Sequence, residues 1–446
     1  MSQPRRWRPL AIVAALIVGL VLSAGIGGNR ARTTVSASSP ATHNQAQVTL
    51  KVWDQFTDPG DAAAANTVDA AFMAAHPSIK IRREAFATDQ MRQTVKTALA
   101  SGTGPDVIFY DAGPGYAGVL AQAGLIRPLD DVAARHGWTH RILAASRQGA
   151  TINGKLYGLP LQVDLIGVYY NKTLMDKEGL KAPQTFDQLV GFCRQAKAKG
   201  YIPLAFSDNV GWQAFHQFSM VSNNIVGPEA MRQLLFDNQG SWNTPQMVRA
   251  IRLYFVDLQK AGCFSRNVNA LGYDDANALF YTGKALMNPT GSWLVGDIER
   301  HVKKYQIAMM PFPSISGGKA RVWVSGIGSA YYISTKSQHS QEAAAFLDYL
   351  VSPAATKVWT EQANFILPVK LDTSGVHGLP LYKFILDTLQ TAFSGRVSLG
   401  YNIDVLAPAQ FNTEMQNGFQ AVLAGQRTPE QEAAALQKAW TRGMKG

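Results

Sequence analysis

Cysteine is scarce: Cys193 and Cys263 are the only two in 446 residues. That is too few for a disulfide framework or a cysteine-rich metal site. Two buried thiols are the favoured expectation, with a bridge between them the alternative in an oxidising compartment. The chain also lacks G-x-S-x-G, H-E-x-x-H and a Walker loop, which removes the serine-hydrolase elbow, the zincin helix and the nucleotide-hydrolysing loop. "SGIGS", at Ser325 to Ser329, has the glycines of a phosphate loop, but no lysine follows and "AYYIS" after it reads as a strand. Acid is absent from residues 1–46, which hold five arginines. Without them the net charge of +11 falls to +6, with 37 basic against 31 acidic side chains. No basic cluster interleaves with aromatics, so nucleic acid is not an expected partner.

What is present starts with Arg5, Arg6 and Arg8 ahead of an uncharged apolar run from Leu10 to Ala24. Residues 1–26 are therefore expected to be an export signal or an N-terminal anchor. Cleavage is favoured because the run falls short of the ~20 residues of a comfortable membrane span. Leu22-Ser23-Ala24 is similar to the start of a lipoprotein signal, but Gly25 stands where the acylated cysteine would be. A secreted or membrane-anchored protein of the cell envelope or exterior follows, without a lipid. Residues 27–46, rich in Ser, Thr and Ala, read as a disordered tether.

Beyond the tether, 46% hydrophobic and 16% charged residues in so long a chain suit two lobes rather than one. "VTLKVWDQF", "SIKIRREAF" and "PDVIFYD" have strand character, separated by the helical patterns "AANTVDAAFMAAH" and "DQMRQTVKTALASG". Short loops and alternating elements predict a mainly parallel sheet covered on both faces. A second unit opens with "LIGVYYN" and a helix capped by Thr185. The apolar strand "VWVSGIGSAYYIS" carries glycines that mark a bend. The last third reads as mostly helical, and no internal repeat is present.

Six blocks in order, among them "GKLYGLPLQVDLIGVYYNKTLMDKEGL", "LFYTGKALMNPTGSW" and "SGIGSAYYISTKSQHSQEAAAFLDYLVS", resemble the extracellular solute-binding proteins of ABC sugar importers, of the maltodextrin and multiple-sugar type. The resemblance covers nearly the whole chain after the tether. It implies a two-lobed periplasmic-binding-protein fold of class II, with a ligand cleft between hinged lobes. The crossings fall near Leu159 to Val163, near Ser325 to Gly328, and after Pro368. The N-lobe is then 47–160 plus 327–369 and the C-lobe 161–326 plus 370–446. It further implies a monomer that binds a sugar without a cofactor or metal and is not an enzyme. Its partner is a membrane permease driven by a separate ATPase.

A sugar ring offers hydroxyl edges and apolar C–H faces, so its cleft needs aromatic platforms and planar polar groups. Trp53 with Asp54, and Tyr110 with Asp111, end strands, where ligands of open α/β sheets gather. Gln162 and Asp164 flank the first crossing, and Trp323 and Gly326 lie at the second. Trp212 and Gln213 begin a helix, and Tyr401, Asn402 and Asp404 sit in a loop. Gly291 and Trp293 form a Gly-x-Trp that follows Pro289, where the strand is expected to stop. By the resemblance Trp293 is a stacking platform. His216, within a helix, reads as an interior histidine.

The alternatives are a polyamine, peptide or ferric-ion binder on the same fold, or a secreted carbohydrate-active enzyme. The pairs Tyr169-Tyr170 and Tyr331-Tyr332 suggest iron-binding phenolates, but neighbours in a strand face opposite ways. A glycosidase needs two carboxylates about 5 to 9.5 Å apart, and no motif in this sequence sets such a pair.

Overall fold

The computed structural model describes residues 47–369 and 379–445. The expected export segment and tether, and the crossing placed just after Pro368, lie outside the described residues.

Among the described residues thirteen strands run β1 (Val48–Asp54), β2 (Ile79–Ala85), β3 (Val107–Asp111), β4 (Thr151–Ile152), β5 (Lys155–Leu156), β6 (Gly158–Pro160) and β7 (Asp164–Asn171), followed by β8 (Ile202–Leu204), β9 (Ala285–Gly291), β10 (Ile307–Met310), β11 (Trp323–Gly326), β12 (Ser329–Ile333) and β13 (Leu399–Tyr401). They build two main sheets, ordered β2-β1-β3-β12-β6 and β13-β11-β7-β9-β8, with β10 on β7. Each sheet is packed by its own apolar cluster.

The sheets are mixed, not mainly parallel. β1 runs parallel to β2 and β3, but β12 is antiparallel to β3 and β6. β7 is antiparallel to β9, β10 and β11. The crossings impose this. Strands such as β1 and β3 end at the junction between the sheets, whereas β12 and β7 start there and must run away from it. The chain leaves the first sheet after Pro160 and enters the second at Asp164, then returns between Gly326 and Ser329. At the return, Gly328 N donates to Asp164 Oδ2 at 3.0 Å. A Cβ on Gly328 would stand 2.3 Å from that oxygen, so glycine is needed for the close approach.

Local signals act as their chemistry dictates. Thr185 accepts from Gln188 N and caps the helix Phe186–Ala198. Gly102, at φ 80°, ends the helix Thr88–Ser101. Two expectations fail. β9 does not stop before Pro289 but runs through it to Gly291. β8 ends opposite Met287, so no neighbour on that side requires an N–H from Pro289, and its carbonyl accepts from Gln217 Nε2 at 2.8 Å. β13 was expected as loop. It pairs in parallel with β11, and on its other side Asn223 supplies both a donor and an acceptor to the backbone of Tyr401, which no local sequence pattern signals.

Cys193 and Cys263 form a disulfide, contrary to the expected thiols. Leu204 N donates to the carbonyl of Cys263 at 2.9 Å. The Cys263 loop is thereby laid along β8 beneath the Phe186–Ala198 helix, with the two Cα atoms 4.9 Å apart, within bridging range.

Candidate functional site

A cavity of about 870 Å³ opens between the two sheets. On the first-sheet side it is walled by the ends of β1 and β3, the turn after β2 and the start of β12. On the second-sheet side stand the segments around Trp212, Tyr273, Trp293 and Asn402. This is the carboxyl-end crevice that open α/β sheets offer to ligands.

The aromatic wall is built from three elements. Trp212 opens the helix Trp212–Val226, Tyr273 opens the helix Tyr273–Tyr281, and Trp293 follows β9. Trp212 lies 4.7 Å from Tyr273 and 6.4 Å from Trp293 between ring centroids, with His216 5.1 Å from Trp293. Trp293 Nε1 donates to Tyr273 Oη at 2.8 Å, and Tyr273 shares a second bond with Thr290. Gly291 makes the arrangement possible, because a Cβ there would fall 1.9 Å from the Trp293 ring. The indole is folded over its own strand end and held at its nitrogen.

Polar groups line the same cavity. Arg92 grips Asp111 through two bonds of 2.9 and 3.0 Å and stacks over Tyr116. Asp164 is buried and pushed up to about 7 by desolvation, an effect opposed by the Gly328 N–H and reinforced by Asp404. Asp404, also buried, is raised to about 7 by desolvation, against the pull of Arg92. His216 is lowered to about 3 by burial and then by Arg92, so it is neutral at physiological pH.

Of the fifteen expected site residues, the cavity brings together Asp111, Gln162, Asp164, Trp212, Trp293, Asn402 and Asp404. Eight stand outside its lining. Trp53 points to the other face of β1, against Phe86. Asp54 is buried in an ion pair with Arg83 of the neighbouring strand, and burial raises it to about 6 despite that partner. Tyr110 alternates away from Phe109 and Asp111 and meets Tyr116 edge-on. Gln213, one step round the helix from Trp212, is buried with its amide unpartnered among the described residues. Trp323 covers Gly167, and Tyr401 packs on Phe236. Gly291 and Gly326 serve as spacers, the first under Trp293 and the second under Asn402 and Val405.

Arg92, His216 and Tyr273 line the cavity without having been expected there. His216 sits one turn after Trp212, and that i, i+4 spacing on one helix face was the available signal. Tyr273 opens its helix and Arg92 is the fifth residue of its own, where no local pattern distinguishes a cleft residue from a surface one.

Asp58, Asp297 and His301 place ligand atoms within 4.8 Å of one another at the rim. Arg300 bonds to both of those aspartates and to Asp61, so the chain supplies the positive charge there itself. The tyrosine pairs do not assemble an iron site. Tyr169 Oη donates to the Gly291 carbonyl, Tyr331 and Tyr332 are buried in the first lobe, and none of the four lines the cavity.

Residues 53–357 match the family model of the bacterial extracellular solute-binding proteins. A multiple sugar-binding protein of Streptococcus mutans is 32% identical over 49% of this chain and 53% of its own length, so that match spans about half of the relative. An uncharacterized ABC transporter extracellular-binding protein of Pyrococcus horikoshii is 26% identical over 69% of this chain and 70% of its own. Among solved structures, a chitin oligosaccharide binding protein aligns with TM-score 0.77 at 21% identity, covering 89% of this chain and 99% of that one. A maltose/maltodextrin-binding domain of Bdellovibrio bacteriovorus bound to maltotriose aligns at 0.71 and 19%, covering 90% and 100%. Sheet order, cleft and sequence match converge: the chain belongs to the bacterial extracellular solute-binding proteins.

Proposed function

We propose that this protein captures a mono- or oligosaccharide outside the cytoplasm and delivers it to a membrane permease of an ABC importer, powered by a separate ATPase. The observation that carries the reading is one cavity lined by Trp212, Tyr273 and Trp293 together with Asp111, Asp164 and Asp404. Flat rings suit the C–H faces of a sugar, and carboxylates accept its hydroxyl protons. The sugar-binding names of the relatives point the same way. The lobes proposed are 47–160 with 327–369, and 161–326 with 370–446. The ligand acts by touching both, which favours the closed state through contacts that exist only there. The protein works as a monomer and leaves the ligand chemically unchanged.

Thermal unfolding against a panel of mono- and oligosaccharides tests this. A ligand at a hundredfold excess over its Kd adds about 2.7 kcal/mol of stability, read as a rise in Tm. Trp293→Ala should keep the fold and lower affinity by about tenfold or more. A flat panel with a response to ferric ion would overturn the reading. Turnover of any bound sugar would replace it with an enzyme.

A further inference from the structure

The charge of the cleft is lopsided. Nine aspartates line it, and among the described residues no lysine does, although the chain as a whole is basic. At the rim, Arg300 answers Asp58, Asp61 and Asp297. Deeper, Arg92 is bonded to Asp111 and acts on Asp404 only through space. Asp164 and Asp404 have no salt-bridge partner among the described residues. Asp164, 6% exposed, takes one backbone N–H from Gly328. Asp404, 3% exposed, lines the cavity with its Oδ1 unpartnered. Asp164 and Asp404 line the same cavity. The wall beside them is aromatic and carries no positive charge of its own, and ring faces favour cations.

Buried carboxylates without a salt-bridge partner are costly unless a cation or a proton reaches them. An ammonium supplies both the charge and three donors, which suits the oxygens of Asp164 and Asp404. We propose that the ligand is a sugar bearing a basic amine, whose ammonium group is taken by Asp164 and Asp404 while its ring lies on the Trp212–Trp293 wall. This rests on the sugar reading above and narrows it to amino sugars.

The test is titration calorimetry of the full chain with matched sets that differ only at one carbon. Glucosamine, glucose and N-acetylglucosamine form one set, their galacto counterparts a second, and the β-1,4-linked dimers of the first set a third. In at least one set the amine should bind about tenfold or more tighter than its hydroxyl and N-acetyl partners. Asp404→Asn and Asp164→Asn, each checked for folding by near-UV circular dichroism, should both cut that preference to within about threefold. If the hydroxyl or N-acetyl sugar binds as tightly as the amine in every set, this inference is wrong while the sugar reading stands. An amine preference that survives both substitutions places the ammonium elsewhere and also overturns it. Calcium ion alone, if bound by the wild type and lost in Asp404→Asn, would assign the pair to an inorganic cation instead. If no sugar in this set or the wider panel binds, the sugar reading falls and the inference falls with it.

Discussion

Gly291 and Trp293 act as one unit. A Cβ at 291 would lie 1.9 Å from the indole, and the indole is already held by Tyr273. Gly291→Ala should therefore displace the ring and reduce affinity about as much as Trp293→Ala, though residue 291 does not line the cavity. Tryptophan fluorescence in the free protein should shift with it, and an unchanged spectrum would contradict the coupling. Asp164 makes a second prediction. Its folded pKa of about 7 lies above the unfolded carboxylate value of about 3.9, so the free folded state binds more protons than the unfolded between those limits. Stability contributed by this group is therefore lost as pH rises from about 4 to 7. Asp164→Asn should stabilise the ligand-free protein at pH 8, read as a rise in Tm, with the gain vanishing near pH 4. Asp111 lines the cavity as its strand-end position implies, whereas Asp54 does not, for a definite reason. Both end strands, but the partner of Asp54 is Arg83, brought alongside by the β1–β2 register, and register is not a local property.

At the scale of elements, the disulfide ties the Phe186–Ala198 helix to the loop that follows the π-helix Arg252–Leu258, closing 70 residues of chain. Cys193→Ala with Cys263→Ala, or reduction of the native protein, should lower stability by about 2 to 4 kcal/mol, measured as a fall in the denaturant midpoint. Ligand affinity should hold, since neither cysteine lines the cavity. Helices were legible because caps and glycine stops are local, as Thr185 and Gly102 show. β13 was not, because Asn223, 178 positions away, completes its backbone bonding. Trp53 and Tyr110 were misplaced by the period of two, which turns each successive strand residue to the opposite face.

For the whole molecule, Arg300 is the clearest link between the two lobes. It follows β9 in the second sheet and reaches Asp58 and Asp61, which follow β1 in the first. Gly60 leaves room for the guanidinium, since a Cβ there would stand 2.2 Å from its central carbon. A partly exposed ion-pair network contributes up to about 1 kcal/mol. Arg300→Met should thus lower sugar affinity by up to about fivefold and enlarge the ligand-free protein in small-angle scattering. Unchanged scattering and affinity would show that the contact does not favour closure.

The sequence by itself determined the alternation of strand and helix, the break at Gly326 and Gly328 and the polar identities at strand ends, because these follow from propensity, periodicity and backbone sterics over a few residues. Tertiary structure alone decided which strand ends face the cleft, the antiparallel sense of the crossing strands, the union of Cys193 with Cys263 and the entry of Arg92, His216 and Tyr273 into the site. Those outcomes depend on register and on groups tens to hundreds of residues apart. A carboxylate becomes a structural ion pair, as Asp54 does, or an open acceptor, as Asp404 does, only through what the fold sets beside it.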